Sequence, residues 1–221
     1  MPLPNGDRIA GAHADPNVQL KLWETLGLDQ DSEFHAKRIL DVGANDGYFT
    51  IAAILAGANR VTAINTADRR NYPHNLHFAA QQWKVSPEVL IGDFLSHPLV
   101  GGYDVILFLG VLYHLENVFL AMRRLRGLLG LEGTLYLETQ LSQVECPLPI
   151  YESASDLYPT IAPQNKSRLD ATGISNFLFP NEAAVRNLAY SFDLTCDRLE
   201  GAYTEEYRSR GVFKLRLATA T

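Results

Sequence analysis

Short apolar runs alternate along the chain with stretches in which apolar residues recur at helical spacing. The runs are typical of strands buried on both faces of a sheet, and they occur in RILDVG (38–43), RVTAIN (60–65), EVLIGD (88–93), YDVILFL (103–109) and GTLYLET (133–139). Helical spacing predicts helices over residues 17–26, 47–55, 118–129 and 181–190, with a further amphipathic stretch around 77–83. This alternation predicts an α/β fold with helices on both faces of a mostly parallel sheet.

The pattern changes towards the last residues. DLTCDRLEG (193–201) and GVFKLRLAT (211–219) read as two strands with no helix between them, which predicts an antiparallel pair at the sheet edge. Residues 141–179 are rich in Pro, Ser, Tyr and Asn and show no clear periodicity, as expected of a lid or a binding loop. We expect one domain over residues 1–221, in which residues 1–35 form an N-terminal helical cap and residues 141–179 an insertion.

Composition narrows the class of protein. The 221 residues carry a net charge of −6, which argues against the strongly basic surface of nucleic-acid-binding domains. The two cysteines, Cys146 and Cys196, lie far apart, cannot form a zinc site alone and suit a reducing compartment. The sequence contains no apolar run of about 18 residues and no signal-peptide pattern, so we expect a cytoplasmic protein that does not enter a membrane.

The loop after the first predicted strand has the composition of a ligand-binding turn. In open parallel sheets, ligands bind at the carboxyl ends of the strands, and Asp41 leads directly into a loop bounded by Gly43 and Gly47. Glycines let the backbone approach a ligand closely, and Asn45 tolerates a left-handed conformation better than most residues. An ordinary strand-to-helix turn has the same composition, so the loop alone does not identify a ligand.

Two common nucleotide sites do not fit this loop. A dinucleotide-binding turn has the pattern G-x-G-x-x-G and an acidic residue at the end of the next strand, where it contacts a ribose hydroxyl. Here the glycines have G-x-x-x-G spacing and the next strand ends with Asn65. A P-loop is excluded because no Lys-Ser or Lys-Thr pair follows the loop.

The ordered set of motifs resembles the class I S-adenosylmethionine-dependent methyltransferases. The resemblance rests on ILDVGANDG, RVTAIN, IGD, YDVILFLGVLYHLEN, GTLYLET and the final strand pair, which together span about residues 36–218. GVLYHL, NFLFPNEAAVRNL and TEEYRSRGVFKLR are most similar to the group that contains tRNA wobble-uridine carboxymethyltransferases and related small-molecule methyltransferases. The resemblance implies a Rossmann-like fold with a seven-stranded, mostly parallel sheet, and S-adenosylmethionine as the cofactor.

The resemblance also implies cofactor-binding roles. The positions concerned are Asp41, Gly43, Asn45, Gly47, Asn65, Asp93, Phe94, Gly110 and Val111. Asp41 would hold the ammonium group of the methionine moiety, and the loop backbone would lie beside the carboxypropyl chain. Asp93 would accept a hydrogen bond from the adenine amino group, with Phe94 beside the ring. Gly110 and Val111 would form the floor beneath the sulfonium.

Asn65 departs from the family pattern, in which an acidic residue usually accepts both ribose hydroxyls. An amide accepts from one hydroxyl and donates to the other, without the strength of a charge-assisted bond. Asp68 is an alternative ribose contact, although a solvated loop acid is its simpler interpretation. The departure also leaves open another class of protein, a non-catalytic cofactor-binding scaffold or partner subunit.

Three residues, His114, Tyr113 and Glu138, are candidates for the transfer step. His114 follows the fourth strand, and a histidine titrates in the range that suits a general base; its other interpretation is a structural loop residue. Glu138 ends the fifth strand and either faces the acceptor or bonds loop backbone. In the carboxymethyltransferases that the chain resembles, a Tyr in GVLYH and an Arg in a late EEQR stretch help hold the transferred carboxylate. The resemblance therefore implies that Tyr113 and Arg208 bind substrate.

The favoured function is methyl transfer from S-adenosylmethionine to a small-molecule acceptor. A tRNA-modifying methyl- or carboxymethyltransferase is the alternative, and it needs a basic surface to neutralise phosphates. The basic clusters, Arg69-Arg70 and Arg123-Arg124 with Arg126, read more simply as solvated faces. The remaining histidines lack metal-ligand spacing, so we expect no metal. The acceptor, the methylated atom and the oligomeric state stay open at this stage.

Overall fold

The computed structural model of the protein describes residues 3–7, 17–28, 33–66, 72–153 and 176–218. The predictions for Asp68, for Arg69-Arg70 and for the middle of the insertion lie outside these residues. The strands are β1 (Arg38–Val42), β2 (Arg60–Asn65), β3 (Glu88–Ile91), β4 (Tyr103–Leu109), β5 (Leu129–Gln140), β6 (Tyr151–Ser153), β7 (Leu178–Pro180), β8 (Leu194–Leu199) and β9 (Arg210–Leu217). The helices are α1 (Val18–Thr25), α2 (Tyr48–Leu55), α3 (Tyr72–Trp83), α4 (Val118–Leu128), α5 (Glu182–Tyr190) and α6 (Ala202–Glu206), with a 3-10 turn at Leu112–His114.

Within the described residues the main sheet has seven strands in the order β3-β2-β1-β4-β5-β9-β8. All neighbouring pairs from β3 to β5 are parallel, and β9 runs antiparallel to both β5 and β8. The prediction of a mostly parallel, seven-stranded sheet with a C-terminal antiparallel pair is confirmed. The strand order reverses between β1 and β4, and such a switch point opens a crevice at the carboxyl ends of the strands.

Alternate residues of the strands supply two cores. On one face Leu40, Ile106 and Leu135 pack with the apolar sides of α4 and α5. On the other face Ile39 and Leu107 pack with residues of α1 and α2. Helices cover both faces because each parallel crossover passes over the sheet, and this is why the strands read as continuous apolar runs. The carboxyl edge of the sheet is left accessible to a ligand.

The C-terminal part differs from the sequence-based expectation at one element. The pattern predicts no helix between the last two strands, and this is wrong, because α6 lies there. Five residues are too few to show helical periodicity. The helix is defined locally instead, since the Gly201 N–H donates to Thr204 Oγ1 (3.0 Å) and the Tyr203 side chain is buried. A smaller difference is that β5 begins at Leu129, where the backbone pairs with Tyr103.

The two described ends of the 141–179 insertion are fastened beside the carboxyl edge of the sheet. They pair as β6 and β7 in a separate two-stranded sheet. Asn181 Nδ2 donates to the carbonyls of Cys146 (2.9 Å) and Leu148 (2.8 Å). The Phe177 N–H donates to the Tyr113 carbonyl (2.9 Å). The ends of the insertion are therefore fixed by backbone and cap bonds next to the 3-10 turn.

Candidate active site

A cavity of about 650 Å³ opens at the carboxyl edge of the sheet, within the ~300–1,000 Å³ range of small-molecule sites. Most positions predicted for cofactor and catalysis line it, namely Asp41, Gly43, Asn45, Asn65, Asp93, Phe94, Gly110, Val111, Tyr113, His114 and Glu138. Gly47 and Arg208 are the two predicted positions outside its lining. Residues from the ends of five strands thus meet at the crevice that forms at the carboxyl edge of an open parallel sheet.

Three of the five residues in the loop from Gly43 to Gly47 have a left-handed backbone. The φ angles are 73° at Gly43, 50° at Asn45 and 87° at Gly47. A Cβ on Gly43 would lie 2.7 Å from Val111 Cγ2, and one on Gly47 would lie 2.6 Å from Leu76 Cγ. Gly43 therefore keeps the loop close to the cavity floor, whereas Gly47 lets α2 begin against the buried Leu76. The structure places Gly47 in helix packing instead of in the cavity wall.

Asp41 is a buried carboxyl group in the wall of the cavity. Its side chain is 3% exposed, and Thr50 Oγ1 donates to its Oδ2 at 2.6 Å. Burial raises the pKa of Asp41 to about 6, against the lowering effect of the hydrogen bonds from Thr50. A buried anion of this kind favours a cationic ligand group, which compensates for the water that the carboxylate has lost.

We expect Asp41→Asn to stabilise the ligand-free protein at pH 8. The folded pKa of about 6 lies above the ordinary value of 3.8, so the stability due to the neutral form is complete below pH 3.8 and is lost as the pH rises through 6. The amide avoids this loss, and the gain is on the order of 2–3 kcal/mol. Denaturant unfolding at pH 4 and pH 8 measures it. Asp197→Asn, at an exposed position of β8, is the matched control, and an equal gain at both pH values would contradict the prediction.

Asn65 and Asp93 use part of their hydrogen-bonding capacity within the protein. The Asn65 amide bonds both backbone groups of Asn45, and Asp93 Oδ1 accepts from the Leu95 N–H (2.9 Å). Arg124 fastens the segment after β3, because its Nε donates to the Phe94 carbonyl at 2.9 Å. One arginine of the α4 basic cluster is therefore engaged inside the protein.

A buried ion pair occupies the other side of the cavity. Glu138 is 3% exposed, and its Oε1 accepts from Tyr203 Oη (3.0 Å) and from Arg210 Nη1 (3.2 Å). The Arg210 guanidinium lies 4.9 Å from the centre of the Tyr113 ring. Burial raises the pKa of Glu138, although Arg210 and Tyr203 oppose the shift. Burial disfavours the charged form of Arg210, yet Glu138 holds the pKa of that guanidinium above its ordinary value.

Among the residues that the structure describes, Arg210, two residues beyond the predicted Arg208, is the arginine that lines the cavity. Arg208 is exposed and does not line the cavity, whereas Arg210 does. The pairing of β5 with β9 accounts for the position of Arg210, since Gln140 pairs with Arg210 and Glu138 with Val212. Residues two apart on a strand share a face, so Arg210 and Glu138 lie on the same side of the sheet.

Other lining residues have no counterpart in the sequence analysis as site residues. They include Asp46, Gln140, Tyr203 and, from α1, Val18, Gln19 and Leu22. His114 is exposed at the mouth, with its ring centre 4.2 Å from that of Tyr113. In the part of the chain that the structure describes, no cluster of three or more His, Cys, Asp or Glu is arranged for a metal ion, and no helix has the length and apolarity to cross a membrane.

Comparison with known proteins agrees with this fold. The methyltransferase domain family matches residues 15–196. Curated relatives include the tRNA U34 carboxymethyltransferase of Dichelobacter nodosus, which is 25% identical over 198 residues, covering 86% of this chain and 57% of the relative. That of Helicobacter pylori is 26% identical over 150 residues, covering 64% of this chain and 57% of the relative. The chain thus spans 57% of the length of these two relatives.

Solved structures show the same fold at low identity. The YcgJ protein of Bacillus subtilis has a TM-score of 0.65 and 14% identity, with 89% of this chain and 99% of that chain covered. The magnesium protoporphyrin IX methyltransferase of Synechocystis, solved with bound SAH, has a TM-score of 0.61 and 16% identity, with coverages of 91% and 84%. The chain belongs to the methyltransferase domain family, whose model matches most of its length.

Proposed function

We propose that the protein transfers the methyl group of S-adenosylmethionine to a small-molecule acceptor that binds in the same cavity. One observation carries the proposal: a single cavity of about 650 Å³ joins the buried Asp41 and the left-handed loop on one side to the Glu138–Arg210 pair on the other. The first side suits a cationic amino-acid tail, and the second suits a polar acceptor. The cofactor, when bound, supplies a methyl group on a positively charged sulfur.

The residues of the β1–β3 side fit this cofactor. Asp41 is a buried anion for the ammonium group of the methionine moiety, and the loop backbone from Gly43 onward lies beside that moiety. Asp93 retains Oδ2 for the adenine amino group, since Oδ1 accepts from a backbone N–H. Gly110 has a φ of 72° and no side chain, so it leaves space in the floor next to β4. We propose that the loop backbone and Gly110 fit the shape of the cofactor, and that the carboxylates of Asp41 and Asp93 bind its two amino groups.

The β4–β5 side would position the acceptor and take its proton. Transfer needs an in-line approach, and holding both reactants in one cavity supplies much of the rate. We propose Glu138 as the proton acceptor, because it is buried and its carboxylate form is kept available by Arg210. Tyr113 and Arg210 would orient the acceptor. His114 lies at the exposed mouth, where it would contact the acceptor on entry.

Calorimetry and a transfer assay test this assignment. We expect one S-adenosylmethionine and one S-adenosylhomocysteine to bind per chain, and Asp41→Ala to remove measurable binding. In Glu138→Gln the amide oxygen still accepts hydrogen bonds from Tyr203 and Arg210, so the variant should bind the cofactor normally. Its turnover should fall about 10²–10⁴-fold, because the proton acceptor is lost. Turnover is followed as label transferred from the cofactor methyl group into the small-molecule fraction of an extract. No binding by the wild-type protein, or equal loss of affinity in both variants, would overturn the proposal.

A second candidate is carboxymethyl transfer to tRNA, and Arg210 over the Tyr113 ring favours it. A guanidinium in the cavity could hold a carboxylate on the transferred group, and curated relatives are named for that activity. Against it, Glu138 already neutralises Arg210, and the net charge is −6. Tighter binding of the carboxymethyl-bearing cofactor than of S-adenosylmethionine, with tRNA retention that falls as salt rises, would select this candidate.

A further inference from the structure

One side chain ties the end of β2 to the loop after β1. Asn65 is 5% exposed; its Oδ1 accepts from the Asn45 N–H (2.8 Å), and its Nδ2 donates to the Asn45 carbonyl (3.2 Å). The Asn45 backbone fixes the orientation of the amide, because an N–H only donates and a carbonyl only accepts. A carboxylate cannot make the second bond, since it has no hydrogen to donate.

The residue that Asn65 holds is in a costly conformation. Asn45 has a φ of 50° between two left-handed glycines, and a non-glycine residue pays free energy to adopt it. Two hydrogen bonds to the same residue offset that cost. The carbonyl of Asn65 also accepts from the Gly92 N–H (2.8 Å), so β3 is connected to the same point. The buried amide of Asn65 therefore helps to fix the shape of the loop, alongside Asn75, which donates to Asp46 Oδ1 at 2.7 Å.

We propose that Asn65 is a positioning residue that holds the Gly43–Gly47 loop in its cofactor-binding shape, and that this role requires an amide at the end of β2. The inference rests on the proposed function, because the loop is assigned to the cofactor. One amide hydrogen and one lone pair remain for a ribose hydroxyl. This requirement would explain why an amide replaces the usual acidic residue at this position.

The substitution Asn65→Asp distinguishes this role from ribose binding, because the two roles predict opposite changes in cofactor affinity. If Asn65 served the ribose alone, a carboxylate would form charge-assisted bonds with the hydroxyls and binding would tighten. If Asn65 holds the loop, the carboxylate faces the Asn45 carbonyl and binding weakens. We expect the Kd for S-adenosylmethionine at pH 8 to rise about tenfold or more, because the Asn45 carbonyl loses its donor and faces a negatively charged oxygen instead.

Lowering the pH should restore the variant, because a protonated carboxyl donates and accepts as the amide does. The ionisable groups that line the cavity are Asp41, Asp46, Asp93, Glu138, His114 and Arg210, along with the phenols of Tyr48, Tyr113 and Tyr203. The nearby carboxylates favour protonation of the new one. Because Asp41 also titrates, the readout is the ratio of variant to wild-type Kd, and we expect it to fall towards one between pH 8 and pH 5.

Hydrogen exchange of the ligand-free protein gives a second readout that needs no cofactor. The Gly47 amide, which donates to the Ala44 carbonyl within the loop (2.9 Å), should exchange about tenfold faster or more in the variant at pH 8, with global stability followed by unfolding in parallel. Gln19→Glu adds the same charge to the cavity wall from α1 and serves as the charge control. Tighter binding by Asn65→Asp, or weaker binding with no pH recovery and no change in loop exchange, would overturn the proposal. Failure of wild-type binding would instead refute the proposed function, and the exchange result would still stand.

Discussion

Replacing Arg210 by methionine is expected to destabilise the protein by about 3–5 kcal/mol at pH 8. The change removes the cation from a carboxylate that is 3% exposed and accepts from Arg210 at 3.2 Å. Methionine keeps most of the side-chain length, so the loss reflects the uncompensated charge of Glu138 more than an empty space. Denaturant unfolding of both proteins at pH 8 measures the difference.

The pH dependence of this loss has a defined sign. Burial already raises the pKa of Glu138, and removing Arg210 raises it further. The stability carried by a carboxyl group with a raised pKa is present below its ordinary range and is lost as the pH rises through the folded value. The deficit of Arg210→Met relative to wild type should therefore be smaller at pH 5 than at pH 8.

Two further variants make the result specific. Arg208→Met removes the same charge from an exposed position outside the cavity, and it should change stability by less than about 0.5 kcal/mol. In the double variant Arg210→Met with Glu138→Gln, neither charge of the pair is left, so most of the loss should be recovered. A double variant that is as unstable as Arg210→Met would show that packing, and not charge, accounts for the effect.

Gly43→Ala is expected to have the largest effect on the loop. A left-handed φ of 73° costs alanine about 1–2 kcal/mol, and the new Cβ would lie 2.7 Å from Val111 Cγ2. Overpacking of this kind costs about 1–3 kcal/mol more. The loop must therefore move, and we expect cofactor affinity to fall about tenfold or more together with stability. Calorimetry and unfolding measure the two losses separately.

The two causes can be separated by a second substitution. Val111→Ala removes the methyl group that the new Cβ meets, so Gly43→Ala with Val111→Ala should recover the part due to contact and keep the part due to φ. Gly127→Ala is the matched control, because that helical position has open space around it and alanine should be neutral or slightly stabilising there. Full recovery in the double variant would mean that the left-handed conformation costs little here.

Most of the fold followed from periodicity because its elements are long and buried on both sides. RVTAIN and YDVILFL are strands at the predicted residues, and the helix predicted for 181–190 begins one residue later at Glu182. The helix α6 could not be predicted, since its five residues are defined by a cap and by one buried tyrosine. Elements too short to show a hydrophobic periodicity are specified by tertiary contacts.

The same division holds for the site. Asp41, Asn65 and Asp93 could be placed near one another because strand ends meet at a switch point. Arg210 could not, because its position depends on the register of β9 on β5. The hydrogen bonds between Asn65 and the backbone of Asn45 also had no sequence signal beyond the unexpected amide. Contacts between residues that are distant in the sequence depend on the folded geometry, and these could not be predicted from the sequence.

The anchoring of the insertion has a consequence for how acceptor preference can diversify. Asn181 holds the segment before β6 through carbonyl oxygens, and Phe177 is held through its own N–H. Main-chain groups are present whatever residue occupies those positions, so these anchors do not depend on side-chain identity. Foreign segments could be grafted between the anchors while the half of the protein assigned to the cofactor keeps its frame. Under the proposed function, the methyl-donor side would then stay constant while the acceptor side is exchanged.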